Sequence, residues 1–241
     1  MIGEGEIPEH SEVTYLLEAP AQVENAEEEK KDAEEKPKGS DEISVVFCID
    51  ISGSMHGQRL NAARQAITSQ INSMNEKNGK RKLGIVAFDN TVEVIGDGVE
   101  KVHVIADMAD LTNFEALQRI GEGLGDTHMK NPVSQTKDSL LEKAQNLQTR
   151  GTTALGPAVL TSLAMASKGC PGSQVIVLTD GMANVGLGSF NQGQSANEFY
   201  SRVGQLAEEK GVMINLVTFA GTEANIMGLA TMVEQSGGQV E

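Results

Sequence analysis

The sequence predicts an α/β fold: a doubly wound, mostly parallel, Rossmann-like sheet with one antiparallel edge strand and helices on both faces. Three observations carry this. The runs Ile43–Ile49, Lys82–Phe88, Ser173–Thr179 and Val212–Phe219 are apolar almost without interruption, as strands buried on both faces must be. Between them lie segments whose apolar residues recur at helical spacing. A tight Asp89-Asn90 turn then joins the second run to Thr91–Ile95, which reads as an antiparallel hairpin and an edge to the sheet.

Each element follows from its local pattern. Leu60, Ala63, Ile67, Ile71 and Met74 mark one face of a helix over about residues 57–77. Val102–Ile105 reads as a short further strand, and helices are expected near 113–123 and 138–148. Pro157 to Lys168 forms another helix, with proline in its first turn, where the missing N–H costs little. Asn197–Lys210 is helical up to Gly211, and Ile226–Gln235 is helical up to Gly237-Gly238. The chain stops at Gln239-Val240-Glu241, where a final strand is expected to begin. The domain therefore reads as ending before or within its last strand.

Composition bounds the function. With 241 residues and 39% hydrophobic side chains there is material for one large core, although aromatics make up only 3%. Residues 1–42 hold 14 acidic and 4 basic side chains, a net of −10, whereas residues 43–241 hold 20 and 15, a net of −5. Within the acidic segment, residues 12–18 suggest a short strand, and residues 21–42 read as a flexible, solvated linker. No Lys/Arg cluster is present to neutralise several phosphates, so nucleic acid is not an expected partner. Neither a signal peptide nor an apolar stretch of membrane-spanning length is found, and the two cysteines form no secreted disulfide framework. A cytoplasmic protein without membrane insertion is expected.

The chemistry is concentrated at two strand ends and one helix start. Asp50-Ile51-Ser52-Gly53-Ser54-Met55 leaves the first strand with one carboxylate and two hydroxyls on a short turn. Leu178-Thr179-Asp180-Gly181 ends a later strand, and Arg150-Gly151-Thr152-Thr153-Ala154 precedes a helix. In parallel sheets ligand sites lie at the carboxyl ends of the strands, so Asp50 and Asp180 are expected on one edge. Oxygen donors without nearby His or Cys favour a hard cation such as magnesium over zinc. Each segment alone has a plainer explanation. Asp-x-Ser-x-Ser is commonly a helix-capping turn, Thr152 or Thr153 reads as an N-cap, and Asp-Gly is a turn.

Together, in this order, the three segments resemble the metal-ion-dependent adhesion site of von Willebrand factor A domains, over about residues 43–241. The stretches Thr179–Gly186 and Ile214–Phe219, with the Val13-Tyr15-Leu17 strand, resemble an intracellular branch of that family. That branch includes Sec23/Sec24-like coat trunks and proteins carrying a circularly permuted Ras-like GTPase. The resemblance implies direct metal contacts from Ser52 and Ser54, a third hydroxyl from Thr153, and water-mediated roles for Asp50 and Asp180. Thr153 stands in the family's Gly-x-Thr spacing, with Thr152 as its rival. The implied cofactor is Mg2+, with Mn2+ or Ca2+ as alternatives.

The implied function is a metal-dependent interaction module that accepts an Asp or Glu from a protein partner. Two carboxylates merely balance a divalent ion, which stays electrophilic. The alternatives are an architectural domain of a coat or GTPase-linked assembly without metal dependence, and metal-assisted phosphoryl hydrolysis. Catalysis is not expected. Ser52 stands where a phosphoryl-transfer enzyme would place a second Asp, no Lys follows Asp180, and there is no Gly-x-x-x-x-Gly-Lys-Ser/Thr loop. His56, Asn90 and Asn184 are expected at the border of the binding face.

Overall fold

The structure is a computed structural model and describes residues 43–181, 183–189, 191, 193–219 and 226–241. The strand and linker expected within residues 1–42 lie outside the described residues. The first strand, β1 (Ser44–Asp50), is followed by a single 3-10 turn (Gly53–Met55) and helix α1 (Gln58–Asn78). Then come β2 (Lys82–Phe88), β3 (Val92–Gly96), β4 (His103–Ile105), the one-turn α2 (Met108–Leu111), α3 (Phe114–His128) and α4 (Val133–Gln145). The remainder is α5 (Leu155–Ala166), β5 (Ser173–Thr179), α6 (Gln194–Lys210), β6 (Val212–Thr218) and α7 (Ile226–Gln235).

The strands form one sheet in the order β4-β3-β2-β1-β5-β6. β1 pairs in parallel with β2 on one side and β5 on the other, and β5 pairs in parallel with β6. The antiparallel strand expected at Thr91–Ile95 is β3, but it does not hold the edge. β4 pairs outside it through Val92↔Ile105 and Val94↔His103. At three residues β4 is a short edge, which limits further pairing. At the other side the last residues extend the sheet. Val240 bridges Leu216 in parallel, and the Thr218 N–H donates to the Glu241 carbonyl at 2.8 Å.

Alternate residues of the strands feed two cores. One face of the sheet packs on α1 and α4 through Phe47, Ile49, Leu83 and Ile85 with Ile67, Ile71 and Leu140. The other packs on α3, α5, α6 and α7 through Val46, Cys48, Val86 and Val175 with Leu117, Leu160, Val203 and Met232. Helix α5 is buried along its whole length, as its all-round apolar sequence requires. The helix expected near 138–148 begins earlier, at Val133. Pro132 sets the entry, and Thr136, Leu140 and Ala144 then bury one face at a spacing of four.

Helices α3 and α5 approach closely because Gly121 has no side chain: a β-carbon there would lie 2.6 Å from Ala164 Cβ and 2.7 Å from the Thr161 carbonyl. Gly123, two residues on, faces open space. The pair gives opposite expectations for one chemical change. Gly121→Ala should destabilise the fold by about 1–3 kcal/mol through overpacking. Gly123→Ala should stabilise it by up to ~1 kcal/mol through helix propensity. Denaturant titration of both variants checks this, and equal effects would contradict the packing described.

Candidate metal centre at the carboxyl edge of the sheet

The register places the site. Asp50 lies opposite Phe88, and Ile49 opposite Leu178, so the chain exits β1, β2 and β5 side by side at Asp50, Asp89 and Asp180. β1 is also where the chain switches direction along the sheet, with β2 to one side and β5 to the other, and ligands of open α/β sheets bind at such a crevice.

Asp50 is completely buried, and both its oxygens are engaged. Oδ1 accepts the Ser52 N–H at 2.8 Å, folding the turn back on itself, and Oδ2 accepts the Thr179 hydroxyl at 2.6 Å, tying β1 to β5. Ser52 and Ser54 lie with their hydroxyl oxygens 3.0 Å apart, and the Ser54 hydroxyl donates to Asp180 Oδ1 at 2.7 Å. Ser52 is buried while Ser54 is exposed, so the turn presents its second hydroxyl outward.

The third segment is laced onto the first two. Arg150 N–H donates to the Ile51 carbonyl at 2.7 Å, Gly53 N–H to the Gly151 carbonyl at 3.2 Å, and Ala154 N–H to the Asp89 carbonyl at 2.6 Å. Gly151 adopts φ +66°, and a β-carbon there would sit 2.4 Å from Asn90 Oδ1, so this turn needs glycine. Asn184 grips the loop from the far side: its side-chain oxygen accepts the Thr153 N–H at 2.8 Å and its own N–H donates to the Thr153 carbonyl at 2.9 Å. Thr153 is buried and Thr152 is exposed.

The convergence is seen from Gly181. The position a β-carbon would take there lies 3.7 Å from Ser54 Oγ, 3.8 Å from Thr153 Oγ1 and 4.0 Å from Asp50 Oδ2. Oxygen atoms of the Asp50–Met55 turn and the Arg150–Ala154 loop thus face the glycine of the Leu178–Gly181 segment. Asp50, Ser52, Ser54, Thr153 and Asp180 are brought together as the sequence suggested. Among the described residues no group of three or more His, Cys, Asp or Glu side chains is placed to hold a metal. The candidate set rests on hydroxyls with two carboxylates, and such hard neutral and anionic oxygens fit magnesium, manganese or calcium.

Two basic residues complete the edge: Arg59, which the sequence reading passed over, and Arg150, which it named only as the start of the loop. Arg59, in the first turn of α1, donates from Nη1 to Asp180 Oδ2 and, at 3.2 Å, to the Ser54 carbonyl. Arg150 donates from Nε to Asp89 Oδ2 at 2.7 Å and from Nη2 to Glu93. Asp89 is buried and also accepts the Thr91 N–H and hydroxyl at 2.8 Å each, so its oxygens are committed to holding the β2–β3 turn. Among the residues expected at the border, His56 is exposed with Nδ1 3.2 Å from the Thr149 hydroxyl, and Asn90 contributes its side-chain oxygen beside Gly151.

The family model for the von Willebrand factor type A domain matches residues 45–131. The domain from von Willebrand factor type A of Catenulispora acidiphila superimposes with a TM-score of 0.53 at 18% identity, covering 82% of this chain and 37% of that one. Residues 45–131 thus match a von Willebrand factor type A domain, and the fold is that of such a domain. The human COPII-coat protein Sec24c shares the fold with a TM-score of 0.50 at 13% identity over 82% of this chain and 29% of that one. Circularly permutated Ras protein 1 of Dictyostelium discoideum is 28% identical over an alignment of 273 residues, which takes in 100% of this chain and 31% of the relative. The chain therefore spans about a third of the length of that curated relative. The matched stretch of the von Willebrand domain holds Asp50, Ser52 and Ser54; Thr153 and Asp180 join them through the fold.

Burial raises the pKa of Asp50 above its ordinary value; the Ser52 and Thr179 hydrogen bonds oppose the shift, and the Asp180 charge adds to it. A carboxyl with a raised folded pKa binds its proton more tightly when native. Its stabilising share is full below the unfolded pKa near 3.8 and is lost as pH rises through the folded value. In EDTA, Asp50→Asn should therefore melt above wild type at pH 7, by about 2–4 °C per kcal/mol relieved, and the gap should close as pH falls towards 4. Thermal melts across that range check the sign, and a gap that widens towards acid pH would contradict it.

Proposed function

We propose that this von Willebrand factor type A domain is a metal-dependent protein-binding module. Its carboxyl edge takes up a divalent cation, Mg2+ with Mn2+ or Ca2+ as alternatives, and receives an acidic side chain of a protein partner. The observation that carries this is the space beside Gly181, where oxygens of Ser54, Thr153 and Asp50 converge within 4.0 Å of one point. When bound, the ion would supply an electrophilic centre for the partner's carboxylate. The chain's own residues do the rest. Ser52, Ser54 and Thr153 offer neutral oxygens that leave the ion's charge largely unspent. Asp50 and Asp180 hold those hydroxyls in place, through the Ser52 N–H and the Ser54 hydroxyl respectively.

The site is assigned to binding and not to turnover, since Asp50 has both oxygens engaged and is completely buried, a poor position for a nucleophile. The cytoplasm is the proposed location. Among the described residues no helix is long and apolar enough to cross a membrane. The name of the Dictyostelium relative supports a setting beside a Ras-like domain.

One observation favours a second reading, an architectural domain that needs no ion. Arg59 already satisfies Asp180 with a cation. Calorimetric titration with Mg2+ separates the two. The binding module gives saturable heat that Asp50→Asn and Thr153→Ala abolish or weaken at least tenfold, while Thr152→Ala leaves it unchanged. Gly181→Ala, whose new methyl meets its neighbours at ordinary contact distances, should keep the melting temperature and still weaken the ion. No heat in the wild-type chain would leave the architectural reading standing.

A further inference from the structure

Arg59 stands in an electrostatically costly place. It lies in the first turn of α1, where the helix dipole disfavours a cation, and Asp180 is the anion that compensates it. Its guanidinium reaches two of the segments that build the site. Nη1 donates to Asp180 Oδ2 on the β5 exit and to the Ser54 carbonyl on the Asp50–Met55 turn. Asp180 spends its other oxygen on the Ser54 hydroxyl, so the arginine and the candidate ligand share one carboxylate. No other cation is hydrogen-bonded to Asp50 or Asp180 among the described residues.

The charges can be counted. Asp50 and Asp180 contribute −2, and Arg59 returns +1, so these three residues carry −1 before an ion arrives and +1 after a divalent one does, while Asp89 and Glu93 are paired separately with Arg150. Without Arg59 these totals would be −2 and 0. A unit charge held beside the ion repels it and attracts an incoming carboxylate, and at a half-exposed edge neither effect is fully screened. The side chain of Arg59 is 36% exposed, so it keeps part of its field.

We propose that Arg59 is the charge-setting residue of this edge: it lowers the affinity for the divalent ion and leaves the loaded site with a net positive charge for an acidic partner. The inference rests on the ion-binding reading above and adds to it a specificity role for a residue outside the ligand set. It also gives the Arg59–Asp180 pair a sign that a structural role does not share. A residue that merely held Asp180 in place would weaken ion binding when removed. A charge-setting residue strengthens it.

The test is calorimetric titration with Mn2+ alone at low ionic strength, on wild type, Arg59→Gln, Arg59→Lys and Asp50→Asn, with melting temperatures recorded for each. Arg59→Gln should bind Mn2+ about three- to tenfold more tightly, the order expected when a unit charge near a divalent ion is removed from a partly solvated site. Arg59→Lys, which keeps the charge, should stay within about twofold of wild type, and high salt should shrink the Arg59→Gln effect. If Asp50→Asn loses the ion while Arg59→Gln is unchanged or weaker, the role assigned to Arg59 is wrong and the metal site stands. If Asp50→Asn still binds Mn2+ as wild type does, or no variant binds it, the metal site itself is misassigned and this inference falls with it.

Discussion

The parallel pairing of β1 with both β2 and β5 is the constraint on which the rest of the edge depends. Ile49↔Leu178 and Asp50↔Phe88 bring the exits of the three strands level. A slip of one residue in either pair would turn the side chains of the slipped strand to the opposite face of the sheet. Two apolar cores, one on each face, hold the register by requiring Phe47 and Ile49 on one side and Val46 and Cys48 on the other. Packing far from the edge thus fixes where Asp50 and Asp180 stand, and the hydrogen bond from Thr179 to Asp50 is the local expression of that register.

Around this frame the edge manages an unusual electrostatic load. A fully buried carboxylate is costly, and at Asp50 two hydrogen bonds offset only part of that cost, since its pKa remains raised. Asp180 is nearly as buried but has a guanidinium beside it. The difference between the two acids is instructive. One is held by the Ser52 N–H and the Thr179 hydroxyl, and the other by a guanidinium and the Ser54 hydroxyl. The acids of this edge are thus spent on holding the Ser52–Ser54 turn and Thr179 and on an ion pair.

Much of the fold was legible in the residues. Lys82–Phe88, Ser173–Thr179 and Ile226–Gln235 are the observed elements to the residue, because each is an apolar run or face bounded by polar or glycine-containing sequence. The edge was harder. The run Val102–Ile105 announced β4 as a short strand, but its pairing outside β3, which moves the edge, is a tertiary outcome. In the site, five oxygen-bearing residues could be named from their positions at strand ends and a helix start. The Gly-x-Thr spacing already pointed to Thr153, whereas the Asn184 clamp that holds its loop from 31 positions away was not legible. Arg59 carried no local signal: a basic residue on the first turn of a helix looks like a solvated side chain until the helix is docked beside Asp180. Asp89 is the converse case, a strand-end acid like the other two whose oxygens prove to be taken up by Thr91 and Arg150.

The central claim is that hydroxyls from separate segments and two buried acids form one cation site beside Gly181. Anomalous diffraction from a Mn2+-soaked crystal of the domain tests it most directly. The account predicts a single strong peak in the space facing Gly181, with the Ser52, Ser54 or Thr153 hydroxyl oxygens at roughly 2 Å, the bond length of small hard cations to oxygen. A peak bound instead by surface carboxylates elsewhere, or no peak while the Arg59 guanidinium stays on Asp180, would contradict it.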